Sequence, residues 1–158
     1  MRKQPAIDQN SGISLTTPAR TVTVLSVSPN DADHLSLQAI IGHSKWKLFT
    51  ASDLASAVSL LHGHEISVLL CERDLRSGTW IDVLENIKFL PNSPSLIVAS
   101  RLADDRLWAE ALNLGAWDVL AKPFDHIGVI RSVKSAWQRW HDQMHPHATA
   151  VRTMTAAS

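Results

Sequence analysis

The chain predicts an α/β domain: a parallel sheet of five strands alternating with five helices that cover both faces. Short apolar runs recur between amphipathic stretches, and the connections between them are short. The run 66–71 (ISVLLC) is apolar at nearly every position, as a strand buried on both faces should be.

Residues 21–27 form the first β-rich run, which stops at Ser28-Pro29. Asn30 then reads as a helix N-cap with Asp33 three residues on, a weak capping box. The helix that follows places Leu35, Leu37, Ile40 and Ile41 inward and ends near Gly42. Residues 46–50 alternate like a strand, and Ser52 is expected to cap a helix carrying Leu54, Val58 and Leu61. After the third strand, residues 74–79 read as loop and 80–89 as helix. Pro91 and Pro94 bracket the next connection to a buried strand at 95–99. Residues 104–114 repeat Leu107, Ala111 and Leu114 at helical spacing, with Gly115 as the stop. A fifth strand spans 117–121, and Asp125 caps a last helix with Ile127, Ile130, Val133 and Trp137 in register.

The resulting organisation is a tail at 1–20, one domain at 21–142 and a polar, small-residue tail at 143–158. Hydrophobic residues make up 45% and charged ones 19%, enough for a real core. Lys+Arg and Asp+Glu are both 15, so charge gives no case for a nucleic-acid partner. No apolar run is long enough for a membrane span and no signal sequence is evident, so the expected location is the cytoplasm. The single cysteine, Cys71, excludes an internal disulfide and suits a reducing compartment.

Open parallel sheets place their sites at the carboxyl ends of the strands. Lys122 stands there, after the last strand and fixed against Pro123. Glu72 closes the third strand and is the acid that should face it.

With Gly115-Ala116 and Lys122-Pro123-Phe124 in this setting, the chain resembles the response-regulator receivers of phosphorelay signalling. The resemblance runs from Thr21 to about Trp140. It implies a flavodoxin-like sheet of strand order 2-1-3-4-5. It also implies a pocket in which Lys122 pairs with the acceptor carboxylate and Ser100 supplies the hydroxyl that follows the phosphoryl group. Glu72 takes the place of the acceptor aspartate. Ser28 and Pro29 take the place of the acidic pair that holds Mg²⁺, and Val119 that of the aromatic switch residue.

Neither Ser28 nor Pro29 brings a carboxylate, and Mg²⁺ sites usually rest on one or two of them. The Mg²⁺ site is therefore expected to be lost, leaving no cofactor. Glu72 is longer than aspartate by one methylene, so its carboxylate reaches toward the place of phosphoryl oxygens. The expectation is a non-enzymatic pseudo-receiver that acts by binding a protein, either a histidine kinase or a downstream signalling protein. The last two helices and strand five offer a face for that partner or for a homodimer, with Trp108, Trp137 and Trp140 on those helices as candidate anchors. Two alternatives stay open. One is a genuine phosphoacceptor using Glu72 or Asp74, with Asp74 and Asp31 or Asp33 rescuing a weak metal site. The other is a flavodoxin-like small-ligand binder or enzyme, although no phosphate-binding glycine loop or nucleophile elbow is present. His141 and His145 have metal-ligand spacing with His147 nearby, and His62 and His64 flank Gly63; all five read better as polar surface.

Overall fold

The computed structural model describes residues 21–146. The expected segment 1–20, and residues 147–158 with His147, lie outside the described residues. The elements run β1 (Thr23–Val27), α1 (Asp31–Ile41), β2 (Lys47–Ala51), α2 (Leu54–Gly63) and β3 (Val68–Glu72). A two-residue pair follows, β4 (Asp74–Leu75) and β5 (Gly78–Thr79), then α3 (Trp80–Ile87) and β6 (Ser95–Ser100). The chain continues through α4 (Asp105–Leu114), β7 (Asp118–Ala121) and α5 (His126–Met144).

The main sheet has the order β2-β1-β3-β6-β7 with every pair parallel, which is the expected 2-1-3-4-5 arrangement. Alternation along the strands divides the core in two. Leu69 and Cys71 face one side with Leu25, Val27 and Val98, against Ala57 of α2, Val83 and Ile87 of α3 and Leu107 of α4. Val68 and Leu70 face the other side with Val24 and Ile97, against Leu37 and Ile41 of α1 and Val129 and Val133 of α5. Strand order reverses between β1 and β3, which opens a crevice at their carboxyl ends.

Several local expectations are corrected. Asp53, not Ser52, caps α2, accepting from the Ser56 amide at 2.8 Å. Residues 74–79 form a small antiparallel hairpin rather than a plain loop. Thr79 and Asp82 close a capping box at the start of α3, and Gly78, at φ +155°, leaves room for it: a Cβ there would lie 2.5 Å from the Asp82 carboxylate. Gly115 ends α4 with φ +117°, as its place in the sequence suggests. Leu35 is 66% exposed, and Leu114 and Ile127 also face outward, because the stripes that pack are Leu37-Ile41, Leu107-Ala111 and Val129-Val133. Helix α5 continues beyond residue 142 to Met144. Side-chain pairs one turn apart support the extra turn: Gln138 donates to Asp142 at 3.0 Å, and the His141 ring stacks on Trp137.

Candidate functional site

Register sets the site. Glu72 pairs with Ala99, and Ser100 with Ala121, so Glu72, Ser100 and Lys122 all stand at the carboxyl edge. Ser28 follows β1 on the same edge, where its backbone N–H donates a hydrogen bond to the Ala51 carbonyl at 3.0 Å. The peptide between Lys122 and Pro123 is cis.

Lys122 turns its ammonium into this edge, with 5% of its side chain exposed. It forms an ion pair with the Glu72 carboxylate, as expected from the sequence, and a second one with Asp33 at 2.8 Å. Both carboxylates are nearly enclosed, at 12% and 13% side-chain exposure. The Ser28 hydroxyl donates to the same Asp33 oxygen at 2.6 Å and accepts from the Asn30 amide at 3.1 Å. His34 fastens this turn of α1 to β1: its Nδ1 lies 3.0 Å from the Ser26 hydroxyl and its Nε2 3.0 Å from the Ser28 carbonyl.

Charge follows from the geometry. Burial presses the Lys122 ammonium toward its neutral form, but the hydrogen bonds and charges of Asp33 and Glu72 outweigh it and hold its pKa above the ordinary lysine value. One ammonium against two carboxylates leaves the cluster with an excess of negative charge. Beneath it, burial and then the Glu72 charge push the Cys71 thiol far up, which favours the thiol over the reactive thiolate.

The expected positions fare differently. Glu72 and Lys122 meet. Ser100 is buried at the edge, where its hydroxyl accepts from the Leu102 amide at 3.1 Å. Val119 is buried on β7 in the core shared with α4. Pro29 follows Ser28 and has no ligand atom in its side chain. Asp74 directs its carboxylate away, into an exposed ion pair with Arg73 at 2.9 Å, and only its amide approaches Glu72, at 3.4 Å. Trp140 is buried at 7% exposure with its indole N–H 3.5 Å from the Asn92 carbonyl, so it is not a surface anchor. Trp108 and Trp117 are the half-exposed ones.

Sequence reasoning missed Asp33 as a partner of Lys122. Asn30 makes no side-chain cap, and the Asp33 carboxylate that a capping box would use turns instead to Ser28 and Lys122. The available signal was the pair of a hydroxyl at Ser28 and an acid five residues later, one helical turn into α1.

Comparison with known proteins agrees with this architecture. The response regulator receiver domain family matches residues 24–134. No curated protein matches the chain. The signal receiver domain of an HD domain-containing protein from Pseudomonas fluorescens Pf-5 superposes with TM-score 0.72 at 23% identity, covering 80% of this chain and 93% of its own. The signal receiver domain of a putative LuxO repressor protein from Vibrio parahaemolyticus gives TM-score 0.70 at 19% identity, covering 76% and 92%. A beryllofluoride-activated NtrC4 receiver domain dimer gives 0.69 at 22%, covering 75% and 98%. With a family match over most of the domain, on the fold and edge geometry described above, the chain belongs to the response regulator receiver domains of two-component signalling.

Proposed function

We propose that this receiver is a pseudo-receiver: a cytoplasmic, non-enzymatic module that signals by binding a protein without being phosphorylated. The observation that carries the reading is the double ion pair of Lys122 with Glu72 and Asp33. A phosphoryl group needs that ammonium, and a metal to neutralise its developing charge. In this pocket the ammonium is already held by two carboxylates, and the net negative charge opposes an incoming phosphoryl donor.

The donor set also suits Mg²⁺ poorly. The ion wants near-octahedral oxygen ligands. Ser28 offers a neutral hydroxyl whose oxygen already accepts from the Asn30 amide, Pro29 has no donor atom in its side chain, and Asp74 is turned to Arg73. Among the described residues no group of three or more His, Cys, Asp or Glu side chains is arranged to hold a metal.

The partner is a histidine kinase or a downstream signalling protein. Exposed Leu102, Trp108 and Leu112, on α4 and the turn before it, supply apolar contact area beside the last strand and helix for such a partner. A homodimer through that face is the second form of the same interaction; one similar receiver, NtrC4, is a dimer when activated by beryllofluoride. Balanced charge gives no support to nucleic acid, and no described helix is long and apolar enough to cross a membrane.

Incubation with acetyl phosphate and Mg²⁺, followed by intact mass, tests the reading. An unchanged mass is expected. A Mg²⁺-dependent gain of one phosphoryl group, on Glu72 or Asp74, would establish the phosphoacceptor alternative.

A further inference from the structure

The buried edge holds three charged side chains from three elements: Asp33 from α1, Glu72 from β3 and Lys122 from the end of β7. Two carboxylates converge on one point, and the group at that point is an ammonium. Ser28 and His34 add the bonds that fix the turn carrying Asp33.

We propose that the Lys122 ammonium is the resident cation of this pocket, and that Asp33 is the positioning residue that fastens it between the carboxylates in place of a divalent ion. The inference rests on the pseudo-receiver reading and extends it to the identity of the cation and of the residue that holds it. A lysine bound by one acid can swing out on its flexible stem. Held by two acids on different elements, it bridges the start of α1 to the ends of β3 and β7 and sets the pocket in a single arrangement. The same oxygens are hard ligands of the type that divalent cations prefer, so the ammonium and a divalent ion compete for one place.

The substitution Lys122→Met exposes the competition, because it leaves Asp33 and Glu72 facing each other with no positive charge between them. Thermal unfolding of the full chain, followed by tryptophan fluorescence at matched ionic strength, is measured with and without about 10 mM Mg²⁺ or Ca²⁺. The wild type is expected to be indifferent. Lys122→Met should gain about 3–6 °C in midpoint from a divalent ion, and Asp33→Asn in the same background should abolish the gain. If Lys122→Met is unfolded without divalent ions, folding on their addition is the same result. No response of Lys122→Met to either ion overturns the proposal. A response of the wild type instead overturns the reading beneath it, that the native pocket refuses Mg²⁺.

A second variant probes the fastening directly. In Asp33→Asn the ammonium keeps only Glu72, and Lys122 should undergo reductive methylation several-fold faster than in the wild type, read by peptide mass. Lys88, exposed just after α3 in an ion pair with Glu85, supplies the internal standard. An unchanged rate at Lys122 would show that Asp33 does not hold it.

Discussion

Asp33, in the first turn of α1, and Lys122, just past the end of β7, meet at 2.8 Å across 89 residues of sequence. The contact makes the carboxyl edge a three-member ion cluster instead of the simple pair that Glu72 and Lys122 would form. Because each side chain is largely enclosed, loss of one leaves the others poorly compensated.

Glu72→Gln, Lys122→Met and Asp33→Asn should each destabilise the fold by about 1–3 kcal/mol. Combining Glu72→Gln with Lys122→Met should cost less than the sum of the two, since the first change already removes part of what the second disrupts. Urea midpoints and slopes measure this. Strict additivity would mean that the two side chains do not interact.

The raised Lys122 pKa has a defined pH signature. A group bound more tightly to its proton in the folded state gives stability that is complete below its unfolded pKa, about 10.4 for lysine. That stability is lost as pH rises through the higher folded value. The advantage of wild type over Lys122→Met should therefore be constant near neutrality and shrink above the ordinary lysine range. Thermal midpoints of both proteins across the alkaline range check it.

Cys71 should be unreactive while the domain is folded, since burial and the Glu72 charge both favour the thiol over the thiolate. Labelling by a thiol reagent at neutral pH is expected to track unfolding in urea. Fast labelling of the native protein would show an open edge.

Much of this was legible in the sequence, and for local reasons. Alternating apolar runs fix the strands, Gly115 marks a helix end, and a lysine before proline after a strand marks the edge. Glu72 was found because its own strand delivers it to the same place. Asp33 was not assigned there, because its sequence neighbourhood fits a cap equally well, and only the packing of α1 over the sheet decides between Ser28 with Lys122 and the helix's own amides. Ser52 and Asp53 are adjacent and both can cap; backbone geometry selects Asp53. Leu35 faces outward because a stripe of four apolar residues in α1 is wider than the sheet can cover.

The tryptophans should separate folding from binding. Trp140→Ala removes a buried side chain and should cost about 3–5 kcal/mol. Trp108, at 37% exposure, should cost about 1 kcal/mol or less on the same change while weakening capture of the partner. Equal loss of stability at both positions, with partner affinity unchanged for folded Trp108→Ala, would remove α4 from the interface.

A pseudo-receiver requires a pocket that keeps one arrangement without metal or phosphoryl group. Amide NMR spectra of the labelled protein, recorded alone, with Mg²⁺, and with Mg²⁺ and beryllofluoride, test it most directly. The amides of Ser28, Asp33, Glu72, Ser100 and Lys122 are expected to keep their positions in all three spectra. Saturable shifts at those residues, spreading to Val119 and α4, would show a pocket that binds the metal and switches, and would contradict it.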